Sequence, residues 1–221
     1  LVEPVEIGAG KTGKLSGNVH HTDASNGIYT YKILKIDSDG TKVLYQTTAT
    51  IDGKIIGTLL FNETISGDVT IDNSVTVPSG KTLSINDGSL TEGKVYVYGT
   101  LDLSNATLAS NIFDYGTINF RKGVVLGGGI ISFYAPVDMD GVEAPVQVQL
   151  SFYSGSSDSI ITNCKGSFVI SLHDNASIYV DKSEISHFSM DAGTSLNIMD
   201  SIVSYSVSLF DSRTFNALGT A

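Results

Sequence analysis

The residues of this 221-residue chain with types suited to chemistry are few and scattered. The densest acidic group is Asp138, Asp140 and Glu143. Two carboxylates on adjacent strands can cleave a glycosidic bond, one as acid and one as base or nucleophile. The stretch Asp138-Met139-Asp140-Gly141 also reads as a solvated loop ending in an ordinary turn. Asp37-Ser38-Asp39-Gly40, with Asp52 further on, opens in the manner of a calcium loop. A full loop needs further oxygens and a bidentate Glu at a fixed distance. Here Thr41-Lys42-Val43-Leu44-Tyr45 follows, which is strand, so a hairpin turn is the better reading. Asp37, Asp39, Asp138 and Asp140 are the metal candidates, calcium is the cation considered, and no other cofactor is expected.

His20 and His21 are adjacent, so on a strand they point to opposite faces and do not share one ion. His173 and His187 have no evident third ligand. Cys164 is the single cysteine, which excludes an intrachain disulfide. Within Thr162-Asn163-Cys164-Lys165-Gly166 it reads as an inward, inert thiol. Asn62-Glu63-Thr64, Asn105-Ala106-Thr107 and Asn175-Ala176-Ser177 are N-glycosylation triplets. A chain this rich in Asn, Ser and Thr produces a few of them by chance. Tyr96 and Tyr98 point outward if Val95 and Val97 point inward. With Tyr115 they make an aromatic patch that suits a sugar or a neighbouring subunit.

Charge excludes some partners. The 23 acidic residues outnumber 13 basic ones, for a net charge of −10. Nucleic acid and anionic lipid surfaces are repelled at long range. No apolar run reaches the length of a membrane span, so membrane insertion is not expected. Ser and Thr supply 48 residues, Trp is absent, and hydrophobic residues make up 41%. That composition suits an exported, surface-exposed β-protein rather than a disordered chain. The start at Leu1-Val2-Glu3-Pro4 suits a processed or a trimmed end.

The elements that must position these residues are legible from a repeat. A small residue, a Thr or Ser and an alternating apolar strand recur as Gly80-Lys81-Thr82-Leu83-Ser84-Ile85, Gly99-Thr100-Leu101-Asp102-Leu103 and Gly116-Thr117-Ile118-Asn119-Phe120. The phrase returns as Asn175-Ala176-Ser177-Ile178-Tyr179-Val180 and Gly193-Thr194-Ser195-Leu196-Asn197-Ile198. Leu83 to Leu101 is 18 residues, Leu101 to Ile118 is 17, and Ile178 to Leu196 is 18. Strands at this period, without helical periodicity between them, predict a parallel β-solenoid. Period-2 alternation sends Leu83, Ile85, Leu101, Leu103, Ile118, Phe120, Ile178, Val180, Leu196 and Ile198 inward. The chain cuts into eight coils at 63–80, 81–99, 100–116, 117–140, 141–159, 160–176, 177–193 and 194–212. Residues 1–62 differ: an extended arm, then strands joined by Asp-Gly turns, the signature of antiparallel hairpins. The organisation expected is therefore 1–62 as arm and hairpins and 63–221 as solenoid.

The strand-and-corner phrasing over about residues 63–212 resembles right-handed parallel β-helix proteins, the pectin-lyase-like superfold. The resemblance lies in repeat style and selects no family within it. That superfold hosts polysaccharide lyases and hydrolases, adhesins, tailspikes and envelope structural proteins, so it implies no single function. Its lyases pair a Lys or Arg base with a calcium cluster, and its hydrolases use grouped Asp with His, Arg and Lys. Beyond Gly123 the basic residues here are Lys165, Lys182 and Arg213. Neither an Asp-Asp pair nor a Gly-His-Gly occurs. The expectation is a non-enzymatic extracellular structural protein that assembles with copies of itself into a cell-surface filament, sheath or layer. An adhesin or carbohydrate-binding surface module, with glycans as partner, is the alternative, and a polysaccharide lyase or hydrolase the third reading.

Overall fold

The computed structural model describes residues 27–37, 40–51, 54–59, 62–209 and 214–219. An antiparallel hairpin, β1 (Gly27–Asp37) and β2 (Gly40–Ile51), precedes a parallel β-solenoid of about eight coils. Each coil visits three faces. β3 (Lys54–Thr58) leads into β4 (Glu63–Val77) and β5 (Thr82–Val97), two long strands that run round the corners. Their register shifts between Ser66 and Asp68 and between Thr70 and Ser74, which are the corners themselves.

On the first face, β4 and β5 are followed by β6 (Thr100–Ser104) and β8 (Thr117–Phe120). The same face resumes with β11 (Asp138–Asp140), β13 (Ser159–Thr162), β15 (Ser177–Asp181), β17 (Ser195–Met199) and β19 (Thr214–Leu218). The other two faces are built by β7 (Thr107–Asp114), β9 (Val125–Leu126), β10 (Ile130–Phe133) and β12 (Glu143–Phe152). They continue with β14 (Lys165–Leu172), β16 (Glu184–Met190) and β18 (Ile202–Leu209).

All ten residues expected to point inward are buried, from Leu83 through Ile198. Each fully buried aliphatic contributes about 1.5–3 kcal/mol of transfer free energy, so rungs in series make the fold stable. In-register pairing of Leu83 with Leu101, and of Leu101 with Ile118, turns the sequence period into apolar columns along the axis.

The corner between the first and second faces explains the Asx residues of the repeat. Asp87, Asn105, Asn163 and Asp200 all have φ between 45° and 53°. Asn and Asp tolerate this left-handed backbone better than other side chains do. Asn105 Nδ2 also donates to Asp87 Oδ1 at 3.1 Å, tying one corner to the next. Gly99 and Gly116 serve a different need. A Cβ on either would lie 2.3 Å from a carbonyl oxygen of the preceding corner, that of Lys81 or Pro78 in one case and of Gly99 in the other. Chain crowding, not positive φ, demands glycine there.

Two expectations need correction. β3, read from sequence as the third strand of the antiparallel region, pairs in parallel with β4, so the parallel ladder begins before residue 63. Asp138-Met139-Asp140 does not close the fourth coil as a loop. It is strand β11, the opening rung of the fifth coil, with Met139 buried. Asp and Gly suggested a turn, but Met139 between two outward carboxylates is the same alternation that marks every other rung.

Candidate interaction surfaces

Tyr98, Tyr115, Tyr134, Tyr153 and His173 each follow the last residue of a buried strand on the third face, one coil apart. They form a stacked column along one corner. Ring centroids are 5.1 Å apart for Tyr98–Tyr115, 4.6 Å for Tyr115–Tyr134, 4.4 Å for Tyr134–Tyr153 and 5.0 Å for Tyr153–His173. His173 Nδ1 then lies 2.7 Å from Asp191 Oδ2 on the following rung. The three tyrosines singled out from sequence divide between two columns. Tyr98 and Tyr115 belong to this one, whereas Tyr96 stacks on Phe113 at 5.1 Å in the adjacent column. Tyr134, Tyr153 and His173 escaped notice because their coils lack the Gly-Thr phrase. Their spacing from Tyr115, close to the repeat period, was the available signal.

The stack limits what this corner does. A sugar binds an aromatic ring by lying against its face, and here each inner ring has both faces covered by its neighbours. Outward presentation is restricted to ring edges and hydroxyls. Burial and the neighbouring phenols push the Tyr115 and Tyr134 hydroxyls above the ordinary tyrosine value.

A second feature is a seam in the first face. β8 pairs with β6 alone and β11 with β13 alone, so the ladder is interrupted between them. A shallow cleft of about 450 Å³ occupies the seam, lined in part by Asn119, Phe120, Arg121, Val137 and Asp138. Cα atoms of the two strands still approach within 8 Å. That is too close for a third strand, which would separate them by about 9.6 Å. Arg121 is committed to Asp102, with Nε to Oδ1 at 2.6 Å and Nη2 to Oδ2 at 3.0 Å. Asp138 lines the cleft and is exposed. Asp140 Oδ1 accepts from Thr162 Oγ1 at 3.0 Å and Asn163 Nδ2 at 2.7 Å, which holds its carboxyl below the ordinary value. Glu143 is exposed on β12, opposite Lys165 and Val125. Among the described residues no three His, Cys, Asp or Glu side chains gather as a metal site. Asp37 ends β1 opposite Gly40. Asp39, Asp52, His20 and His21 lie outside the described residues.

Asn62, Asn105 and Asn175 are exposed. Asn62 Oδ1 accepts the Thr82 N–H at 3.0 Å, while Asn105 spends its side-chain amide on Asp87. Cys164 is buried, and burial pushes its thiol up to about 11.

The third feature is the last described rung. Phe215 continues the column of Leu196, and Leu209 that of Met190. Leu196 and Met190 are 0% exposed, whereas Phe215 is 38% and Leu209 43% exposed. Leu218 and Tyr205 on the same rung are also exposed. The core columns therefore extend through this rung, whose side chains are less covered by the described residues than those of the rungs before it.

Comparison with protein-family models, with curated proteins and with solved structures finds no match. The fold defines the class, an all-β parallel solenoid.

Proposed function

We propose that this chain is a non-enzymatic structural subunit of a cell-surface filament, sheath or layer, and that it assembles with copies of itself. The rung-on-rung parallel pairing of the solenoid, which a second copy can continue, carries the reading. Among the described residues β18 and β19 pair on one side, with β16 and β17, and Leu209 and Phe215 lie on columns that another rung would extend. A second copy is the occupant proposed. The acidic chain opposes indiscriminate collapse, so the contact has to be specific, and it should strengthen as salt screens the surface.

The rod itself supports a mechanical role. Outward side chains bind along the axis to the rung above or below, as in the tyrosine column, Asp102–Arg121 and Asn197–Asn216. The cleft beside β8 brings a single uncommitted carboxylate, Asp138, where glycoside hydrolysis needs two. An exported location rests on the Ser/Thr-rich, charge-poor composition.

The seam cleft favours one second reading, a carbohydrate-binding surface module. Electron microscopy of purified protein in salt, run beside a glycan array, separates the two. Ordered polymers support the structural reading. Monomers retained on glycans, and released by Asp138→Ala, overturn it in favour of the module.

A further inference from the structure

One core column contains a carboxyl group. In-register pairs connect Val77, Val97, Asp114, Phe133, Phe152, Leu172 and Met190, all of them 0% exposed. Asp114 is the one polar member. Its Oδ1 accepts the Gly116 N–H at 3.1 Å, and its Oδ2 is buried without a partner among the described residues. That single bond closes the corner from which Tyr115 joins the aromatic column. The corner is close-packed, since a Cβ on Gly116 would lie 2.3 Å from the Gly99 oxygen and 2.8 Å from the Tyr98 carbonyl carbon.

Among the described residues the groups facing this carboxyl are not charged. β5 presents Val97 between Tyr96 and Tyr98, and β10 presents Phe133 beside Tyr134. Its own strand contributes Ile112 and Phe113, and the corner after it Tyr115. Burial raises the Asp114 carboxyl to about 6 and the Gly116 N–H partly offsets this, with no charged side chain acting on it.

We propose that Asp114 is a proton-operated clasp: protonated it sits in the apolar column and keeps the tyrosine corner closed, and ionised it loosens that corner. The observations stand apart from the assembly reading and hold whether or not copies associate. An ionised carboxylate with one hydrogen bond in an apolar column is a costly arrangement, and relief comes from opening the Asp114–Gly116 turn to water. The folded chain holds this proton more tightly than the unfolded chain. Stability from this group is therefore greatest in acid, falls as pH rises from about 4 to about 6, and is flat above.

Three measurements test the clasp. Carbon NMR of the Asp114 carboxyl in the intact protein should titrate with a midpoint near 6; a midpoint near 4 overturns the proposal. Unfolding of wild type and Asp114→Asn should be compared across pH 4 to 7. The folding constant of the variant should gain roughly a hundred-fold on wild type over that range, and a pH-independent difference overturns the proposal. Amide-exchange protection at Tyr115 and Gly116 should fall in wild type as the carboxyl ionises, while that at Ile170 and Leu172 holds. Unchanged protection at the corner would contradict the loosening even if the carboxyl titrates as expected. Should the Asn variant fail to fold, the carboxyl titration and the wild-type exchange decide.

Discussion

Cys164 and Ser183 are successive rungs of one buried column. The Cys164 N–H donates to Ser183 Oγ at 3.1 Å, and the Ser183 N–H donates to Ser201 Oγ at 3.0 Å. Each side chain also reaches back to a carbonyl two residues earlier. Cys164 Sγ lies 3.3 Å from the Thr162 oxygen, Ser183 Oγ 2.8 Å from that of Asp181, and Ser201 Oγ 2.7 Å from that of Met199. The thiol takes the place of a serine in this column, directed to the carbonyl of its own corner.

Cys164→Ser should therefore keep the fold, with a small change in stability. Cys164→Val removes the group that reaches the Thr162 carbonyl and should cost more than the serine substitution, about 1–3 kcal/mol. Urea denaturation of the two variants checks the order. In native wild type the thiol should ignore Ellman's reagent at pH 8 and react on unfolding, because its pKa is about 11 and it is buried.

Tyr134 has rings stacked on both sides, Tyr115 at 4.6 Å and Tyr153 at 4.4 Å. Tyr134→Leu forfeits two aromatic pairs, about 1–3 kcal/mol in all. Tyr134→Phe keeps both stacks and should cost much less. Equal losses in thermal denaturation would show that the hydroxyl, and not the stack, stabilises the corner.

Gly99→Ala should cost more than Gly80→Ala. The first places a methyl 2.3 Å from backbone oxygens, whereas the second meets open space and incurs only the strain of φ +74°. That strain is about 1 kcal/mol, and the backbone clash should exceed it in a denaturant series.

Leu101→Asp and Ile178→Asp each put a charge into a sealed column and should abolish folding. Asn197→Ala, on the outward side of β17, should change stability by no more than about 1 kcal/mol. Circular dichroism of the three proteins checks which face is inside.

Much of this fold is written in period-2 alternation. Leu101 flanked by Thr100 and Asp102 marks its own face, and an 18-residue interval can be counted directly. The fourth and fifth coils escaped that reading. Their corners use Gly127-Gly128-Gly129 and the 3-10 turn Ser154–Ser156 in place of Gly-Thr, and short β11 carries a single inward residue. The surfaces were harder to see, because they exist between rungs and not within them. Tyr98 and Tyr115 carried the signal in the regular coils. Tyr134 needed a register that the irregular coils blur. Asp114 was invisible, since nothing in Phe113-Asp114-Tyr115-Gly116 distinguishes a buried Asp from a turn Asp. The serine column was similarly concealed among 48 hydroxyl residues.

Sedimentation velocity of wild type and Phe215→Asp over a range of protein and salt concentrations tests self-assembly through the β18–β19 rung most directly. Wild type should shift to faster, larger species as concentration and salt rise. Phe215→Asp should stay monomeric with an unchanged circular dichroism spectrum. A wild-type chain that remains monomeric at high concentration and high salt, or a Phe215→Asp variant that assembles as wild type does, would contradict the account.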